Sequence, residues 1–491
     1  MREINPRWRA IASRLSRSLA LGLLLVGAAP GLTLGPTLAA QRAPGGVAAA
    51  PATRAAVGAN LTRQILPNGL EVIVAPSAGV PLATVELVVR NGAFTQTPEY
   101  AGLAHLFEHM FFKANDTYPE PDAFMERAGS MGAVFNATTR EEQVTYYLTM
   151  VADSLEAGMR FLEAALRGAQ FRDDELAREK VVVLGEYDRA ESSPFFRLDQ
   201  QIGRRLWGDF WSRKNTIGDR DVITQVTSAQ MRTIRDRYYV PNNSALIVTG
   251  AVAPERVFAL AASVFGSWPR GADPFASAPI PTVPPLREDV GLILEEPVNA
   301  ATVQIQWHGP PARADQDATF AADVFSDILN QPTSRFQRRL VESGLWQGVL
   351  VNYYTLANVG PITVSGQTAP EKLRTALAVL DSALAETLTP GYFTAAELEA
   401  VKAERAVTTA FGEERASENA HTIGFWWSVI SLDYHLRYIE TMARQTPAQL
   451  QAYARKYLIG KPRIVGVLLP EGAKIDLRLT EAELVRRGGR D

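Results

Sequence analysis

The chain has 491 residues, 46% of them hydrophobic, which is enough apolar material for two conventional cores. It contains no cysteine, and this excludes a disulfide framework, thiolate metal ligands and a cysteine nucleophile. The formal net charge of −3 supplies no basic surface for nucleic acid, so no nucleic-acid partner is expected.

The N-terminal segment, 1–40, is typical of a signal peptide. Five arginines precede an apolar run at 19–29 that is too short to span a bilayer comfortably, and small residues at 37–40 suit cleavage before Gln41. We therefore expect a periplasmic or secreted mature chain without a stable membrane span. An uncleaved N-terminal membrane anchor is the alternative. Residues 41–60, rich in alanine, glycine and proline, predict a disordered spacer.

The next segment, 61–270, contains the most informative motif of the chain. Residues 66–74 predict a turn and a strand, residues 84–92 a second strand, and residues 161–167 a helix. Between them, His105 and His109 are two of only five histidines, and on a helix they share one face with Glu108. This H-x-x-E-H order is the inverse of the commoner zinc helix. Catalytic zinc usually takes three protein ligands, so a third is expected elsewhere.

A boundary follows at residues 271–288. Five prolines stand between positions 271 and 285, and proline fixes φ and cannot donate a backbone hydrogen bond, so a stiff linker is predicted. Residues 289–475 predict a second domain, in which residues 397–408 form a helix, and residues 476–491 a C-terminal tail.

The motif and its surroundings resemble the pitrilysin/insulinase family of zinc metallopeptidases, which includes the β subunit of mitochondrial processing peptidase. That family reads H-x-x-E-H-x(76)-E, and here Glu186 follows His109 at that same spacing. Nearly the whole chain beyond residue 60 takes part in the resemblance, through the segments 66–74, 84–92, 102–105, 136–147 and 238–250.

The resemblance implies a zinc-dependent endopeptidase that hydrolyses peptides or unfolded segments inside an enclosed chamber. His105, His109 and Glu186 would bind one Zn²⁺ with water in the fourth position, and two imidazoles with one carboxylate suit that ion. Glu179 matches a family acid that supports the site. Glu108 would act as general base on the water and later pass the proton to the leaving amine.

The implied fold class is α+β, with two structurally related domains, each a mainly antiparallel sheet with helices packed on one face. In the first domain, four residues would pair with the substrate backbone as an added strand: Asn136, Ala137, Thr138 and Thr139. Plain sheet structure is the alternative for that segment.

The second half keeps the architecture and lacks the metal site. Residues 84–87 resemble residues 302–305, and residues 171–176 resemble residues 393–398. The first offset puts Asp323, Ser326 and Asp327 at the places of His105, Glu108 and His109. The second puts Thr408 at the place of Glu186. The other three histidines, His308, His421 and His435, are expected to pack or to lie on the surface.

One departure from the family concerns the substrate. Relatives carry, in a later zinc-less domain, an Arg and, seven positions on, a Tyr around a Gly-Leu pair. Aligning the Gly-Leu pair at 344–345 puts Leu340 and Gln347 at those places. We therefore expect a heterodimer with a zinc-less homologous subunit that supplies the Arg/Tyr pair. A homodimer in which Arg338 or Tyr353 takes the role is the alternative.

Two other functions remain to be weighed against peptidase activity. One is a non-catalytic subunit of the same fold, and the other is a peptide-binding module of the chaperone or scaffold type. Non-catalytic subunits usually lose part of the zinc motif, whereas this chain keeps all of it. Retention of Glu108 argues against the peptide-binding module, because a pure binder has no use for a base.

Overall fold

The computed structural model of the chain describes residues 61–487. The predicted signal peptide and spacer lie outside these residues. Across the described range, helices long and apolar enough to cross a membrane are absent.

The first sheet has six strands in the order β1-β2-β6-β3-β5-β4. All neighbouring pairs are antiparallel except β2 and β6. Strand β4 is at the edge, and its register with β5 pairs Ala137 with Tyr146. The segment 136–147 therefore forms parts of two strands joined by a turn. The strands are β1 (Thr62–Ile65), β2 (Glu71–Pro76), β3 (Leu82–Val89), β4 (Val134–Thr139), β5 (Val144–Val151) and β6 (Ser244–Gly250).

Most helices of the first half pack on one face of this sheet and form its main core. Phe107 and Phe111 are buried there, and the Phe111 ring stacks on Tyr146 with a centroid separation of 3.6 Å. The helices are α1 (Leu103–Phe111), α2 (Pro121–Ser130), α3 (Leu155–Gly168), α4 (Asp173–Glu191), α5 (Pro194–Trp207), α6 (Arg220–Gln225), α7 (Ser228–Tyr238) and α8 (Pro254–Phe265). The predicted helix at 161–167 lies within α3.

The second sheet repeats the first. Its five strands run in the order β7-β11-β8-β10-β9, which is the order of β2-β6-β3-β5-β4, and again only the first pair is parallel. The strands are β7 (Val290–Glu296), β8 (Ala301–His308), β9 (Gly348–Tyr353), β10 (Pro361–Thr368) and β11 (Ile464–Pro470). The predicted α+β fold with two related domains is confirmed. Residues 271–288 contain neither helix nor strand.

The helices of the second half include α11, which contains the predicted helix at 397–408. Arg335–Gln337 and Arg338–Glu342 form short helical turns before β9. The longer helices and the two short C-terminal ones are α9 (Gln316–Asn330), α10 (Leu373–Glu386), α11 (Ala395–Glu414), α12 (Ala416–Val429), α13 (Leu432–Ala443), α14 (Pro447–Tyr457), α15 (Ala473–Asp476) and α16 (Glu481–Leu484).

Each sheet also receives a helix from the other half on its second face. Helix α12 packs Ile423 and Trp427 onto the first sheet, and α5 packs Leu198 and Ile202 onto the second. Glycine permits this approach, since a Cβ at Gly466 would come within 2.4 Å of Ile202 Cδ1. The expectation of helices on one face is therefore incomplete, and the two halves are interlocked.

The segment from residue 476, predicted as a tail, packs on the second domain as far as the structure describes it. Leu479 and Leu484 are buried in the second core. Arg487 donates a hydrogen bond of 2.8 Å to Asp289. The second core thus extends beyond residue 475.

Candidate metal centre

Helix α1 begins at a position that only glycine fills without strain. Gly102 has φ +92°, and a Cβ there would come within 2.9 Å of Gly218 Cα. The side-chain Oε1 of Gln96 accepts the N–H groups of Gly102 and Ala104 at 2.9 and 3.3 Å. Because the first N–H groups of a helix lack partners within the helix, Gln96 fixes the first turn, and with it the direction of His105.

Two helices bring the predicted ligands together. His105 and His109 lie one turn apart on α1, and Glu179 and Glu186 lie two turns apart on α4. Glu186 Oε2 is 3.5 Å from His105 Nε2 and 3.7 Å from His109 Nε2. One ligand atom from each of the three residues lies within 4.8 Å of the others.

These side chains fit a metal ion better than they fit one another. His109 Nε2 and Glu186 Oε2 are buried and find no hydrogen-bond partner within residues 61–487. Buried polar atoms of this kind are rare in folded proteins. Two ligands bound at 2.0–2.1 Å to one tetrahedral ion stand about 3.3 Å apart, close to the separations found here. The donor set of two imidazoles and one carboxylate suits Zn²⁺.

Glu179 holds the outer side of His109. Its Oε2 lies 3.3 Å from His109 Nδ1, and its Oε1 lies 2.6 Å from Lys113 Nζ. A carboxylate on the second nitrogen of a ligating imidazole fixes the orientation of the ring. The structure therefore places Glu179 where a supporting acid is expected.

The charges of the cluster favour a bound cation. Burial and the neighbouring His109 lower the pKa of His105 to about 4, so this ring is neutral at pH 7. Burial acts to lower the pKa of His109 as well, but the carboxylates of Glu179 and Glu186 outweigh it and raise the pKa to about 9, so a metal ion that binds Nε2 displaces a proton. Burial opposes ionisation of both glutamates, yet His109 keeps the pKa of each below its usual value. The carboxylates are therefore ionised and available as ligands.

Glu108 lies between the metal cluster and the edge of the first sheet. It is 8% exposed, and burial raises its pKa to about 7, against the opposing hydrogen bond from Thr139 of β4. A carboxyl group whose pKa lies near neutrality can both accept and return a proton.

The predicted substrate strand lies on β4. Residues 136–139 occupy its C-terminal part, and among the described strands β4 pairs only with β5. The N–H of Ala137 donates to Oδ1 of Asn136 at 2.9 Å. An edge strand can accept an added strand, so the geometry permits the predicted pairing.

The second half has an ion pair where the first has the metal cluster. Asp327, at the place of His109, accepts hydrogen bonds of 2.7–3.0 Å from Arg405 of α11. Asp323 accepts the hydroxyl of Tyr438 at 2.6 Å. The two equivalent helices are therefore joined by a salt bridge. Arg405 was not singled out by sequence reasoning, because nothing in its local pattern shows which helix it faces.

The positions related to the Arg/Tyr pair do not point to a substrate clamp. Leu340 is fully buried in the second core, and Gln347 is exposed. Tyr353 is also buried, and its hydroxyl donates to Pro310 O at 2.9 Å. Tyr353 is therefore not available for the role considered in the homodimer alternative, whereas Arg338 is exposed.

Sequence reasoning missed the contacts that join the β4–β5 turn, residues 140–143, to the second half. Tyr354 donates to Glu141 Oε2 at 2.7 Å, and the N–H of Ala357 donates to Glu142 Oε2 at 2.6 Å. Ser428 donates to Gln143 Oε1 at 2.6 Å. Three consecutive polar side chains were the available signal, but their partners all lie in the other half of the chain.

Among the three other histidines, His421 also joins the two halves. Its Nδ1 is 2.5 Å from Oε2 of Glu86, which is fully buried in β3. His308 stacks on Trp207, and His435 is buried. The expected packing and surface roles therefore extend, for His421, to an ion pair between the halves.

Two family models match the chain. The insulinase (peptidase family M16) model matches residues 72–215, and the peptidase M16 inactive domain model matches residues 225–405. Together they span most of the chain, which belongs to peptidase family M16.

Relatives and solved structures agree with this assignment. An uncharacterized zinc protease of Mycobacterium bovis is 25% identical over 450 residues, which covers 89% of this chain and 98% of that protein. One of Mycobacterium leprae is 28% identical over 214 residues, 44% of this chain, and there the match spans 48% of the relative, about half its length. The crystal structure of a protease from Helicobacter pylori has a TM-score of 0.74 at 20% identity and covers 84% of this chain and 99% of that one. At this identity the likeness shows the fold.

Proposed function

We propose that this chain is a zinc-dependent endopeptidase that hydrolyses peptides or unfolded segments inside an enclosed chamber. One observation carries the proposal. His105, His109 and Glu186 converge with their donor atoms within 4.8 Å, beside the buried carboxyl group of Glu108. The names of the similar zinc proteases support the choice of metal and reaction class.

The chemistry divides between the ion and the protein. His105, His109 and Glu186 would hold the zinc ion, which would supply Lewis acidity. Glu108 accepts a proton from the attacking water and then donates it to the leaving amine. Its pKa near 7 suits both transfers. Thr139 Oγ1 lies 3.5 Å from Ala104 O, and this contact joins the edge strand to the helix that carries Glu108.

Substrate pairing on β4 would select extended backbone. An added strand needs free N–H and C=O groups, which a folded protein has already paired. We therefore expect cleavage of peptides and unfolded segments. Efficient digestion of a stable folded protein, at a rate independent of its unfolding, would contradict this expectation.

We further propose a periplasmic or secreted location and a heterodimer. The location rests on the N-terminal sequence, and the N-terminal anchor remains its alternative. The partner would be a zinc-less homologous subunit carrying the Arg/Tyr pair, because Leu340 and Gln347 lack the required groups.

The central test compares wild-type protein with Glu108→Gln, each alone and with the proposed zinc-less subunit, on a quenched, unstructured peptide, with and without a chelator. Wild-type cleavage should stop on chelation and return with zinc. Glu108→Gln should keep the metal and the fold and lose at least about 10²–10⁴ in rate, the range of general-base assistance. Glu126→Gln, an exposed change on α2, is the matched control.

Two outcomes would sink the proposal. Near wild-type cleavage by Glu108→Gln would remove Glu108 as the base. Peptide binding by metal-loaded wild-type protein, without chelator-sensitive cleavage under any partner condition, would favour the non-catalytic or peptide-binding alternative.

A further inference from the structure

A cavity of about 500 Å³ lies between the two halves, apart from the metal cluster. The first half lines it with Arg90 and Phe94, and the β4–β5 turn adds Glu142. The Pro-rich segment adds Phe275 and Ile280, and the second half adds Arg313. Its size is within the range of small-molecule sites.

Arg90 and Arg313 place two positive charges at this cavity, and their guanidinium groups donate hydrogen bonds to backbone carbonyl groups. Arg90 donates to Trp427 O at 3.1 Å and lies 3.9 Å over the Trp427 ring, but its Nε meets no acceptor in the described part of the chain. Arg313 donates to the carbonyl groups of Ser428 and Val429 at 2.8 and 2.9 Å. Burial and the like charge of Arg313 lower the pKa of Arg90 to about 10. The hydrogen bonds of the pair thus go to carbonyl groups, and the charges of Glu71 and Asp273 offset only part of the lowering of the Arg90 pKa.

Within residues 61–487, Glu142, the acid in the cavity, has a hydrogen-bond partner for only one of its two carboxylate oxygens. Glu142 is 4% exposed, and its Oε2 accepts the Ala357 N–H. Its Oε1 is buried and has no hydrogen-bond partner within the described residues. The charges of Lys214 and Arg313 both act on its carboxylate, but the Lys214 ammonium donates to Val359 O at 2.6 Å. Glu142 therefore shares one cavity with two guanidinium groups whose hydrogen bonds go to carbonyl groups.

We propose that this cavity binds a small zwitterion, an amino acid or short peptide with free termini and an apolar side chain. The carboxylate would meet the guanidinium groups of Arg90 and Arg313, since arginine pairs with carboxylates through two parallel hydrogen bonds. The ammonium would meet the carboxylate of Glu142, which lines the cavity. The guanidinium groups and the Glu142 carboxylate line the same cavity, so each charged end of the ligand would meet an opposite charge.

The remaining features of the cavity agree with this ligand. Phe94, Phe275 and Ile280 are partly buried and offer an apolar surface for the side chain. Arg313 is exposed to solvent, which gives the ligand a way in. A ligand in contact with Arg90 and Arg313 touches both halves, so binding should raise the melting temperature of the protein. None of this depends on peptidase activity.

The test is calorimetric titration of the full chain with L-leucine, L-phenylalanine and L-leucyl-L-leucine. We expect at least one to bind with a Kd of about 1 mM or tighter. N-acetyl-L-leucine, which lacks the ammonium, and L-leucinamide, which lacks the carboxylate, should bind at least about tenfold more weakly. Tighter binding of leucine would indicate a free amino acid as the ligand, and tighter binding of the dipeptide would indicate a short peptide. Equal binding of the blocked compounds, or no binding by any probe at about 10 mM, overturns the proposal.

Two variants locate the binding. Glu142→Gln should weaken binding, but Glu142 also joins the halves, so its loss could act through folding. Ile280→Trp fills the cavity from the Pro-rich segment and leaves the contacts of Glu142 and the arginines intact. It should abolish binding, whereas Thr282→Trp, at an exposed position outside the lining, should not. Binding that survives in Ile280→Trp places the ligand elsewhere and refutes this site.

Discussion

Glu179 Oε2 lies 3.3 Å from His109 Nδ1, while His109 Nε2 faces Glu186. The two nitrogens of one imidazole thus meet two different acids of the same helix. The acid on Nδ1 fixes the tautomer that leaves Nε2 free as a ligand. Lys113 in turn holds Glu179.

Glu179→Gln is expected to weaken zinc binding by about 10–100-fold without removing a ligand, because the neutral amide holds the ring less firmly and leaves it less basic. Competition with a chromophoric chelator measures the affinity. Glu191→Gln, at the exposed end of the same helix, is the control. Unchanged affinity in Glu179→Gln would remove this residue from the site.

Loss of any one ligand is expected to strip the metal. His105→Gln, His109→Gln and Glu186→Gln each leave an incomplete set of three ligands, whereas Glu108→Gln leaves the set intact. Elemental analysis should therefore find zinc in Glu108→Gln alone among these four variants. Stoichiometric zinc in Glu186→Gln would show that the ligand assignment is wrong.

The local part of the metal cluster was predictable because helix geometry is local. The spacing of His105 and His109 predicts a helix with both rings on one face, and residues 103–111 form it. Glu186 lies on another helix, so nothing local connects it to His109. The resemblance to a family supplied that link.

The interlocking of the halves was not predictable from local pattern. Periodicity shows that α12 is apolar on more than one side, but not that it packs across the first sheet. The Glu86–His421 pair spans 335 positions. From the sequence alone, Glu86 is an ordinary polar residue in a strand, and its burial and its partner depend on the tertiary fold.

Tyr354→Phe is expected to reduce peptidase activity several-fold. Its hydroxyl holds Glu141 in the turn that follows Thr139, and Thr139 bonds Glu108. Loss of a hydrogen bond to a charged group costs about 1.5–3 kcal/mol of stability. Thermal unfolding and kcat should be measured together.

Tyr353→Phe provides the control for that variant. Tyr353 is the neighbouring buried tyrosine, and its hydroxyl bonds Pro310 O within the second half. It should lose stability but keep kcat. Equal kcat in both variants would show that the turn does not position the site.

His435 is expected to destabilise the fold in acid. Burial lowers its pKa to about 4, against a usual value of about 6.5. Between about pH 6.5 and 4, His435 therefore binds a proton in the unfolded chain and stays neutral in the folded chain. Its contribution to stability is present above pH 6.5 and is lost as the pH falls towards 4, by about 3 kcal/mol in total. His435→Gln should flatten the loss of stability between pH 6.5 and 4, measured by denaturant unfolding.

His421→Gln is expected to change the pH dependence of stability in the opposite direction. Burial opposes the charge of His421, but Glu86 outweighs it and raises the pKa above its usual value. Stability from this pair is therefore full below about pH 6.5 and is lost as the pH rises through the folded pKa. His421→Gln should remove stability mainly at acidic pH, opposite to His435→Gln. The same response in both variants would contradict the assignment.

The partner prediction follows from Leu340 and Gln347, which stand at the positions of the family's substrate-holding Arg/Tyr pair. Leu340 is buried and Gln347 has no charge, so the isolated chain offers no Arg/Tyr pair at these positions to hold the substrate and stabilise the developing oxyanion. Each such donor contributes about 2.7–4 kcal/mol, so its absence should lower the rate by about 10²–10³. The isolated chain is therefore expected to be weakly active or inactive. Addition of a zinc-less homologous subunit with the pair should restore the rate. Light scattering on the purified chain, alone and with that subunit, measures the mass of the assembly, and a peptidase assay measures the rate.

Arg338→Gln examines the homodimer alternative, because Arg338 is the exposed candidate for the role of the missing arginine. A fully active homodimer that loses activity in Arg338→Gln and ignores any partner would refute the heterodimer.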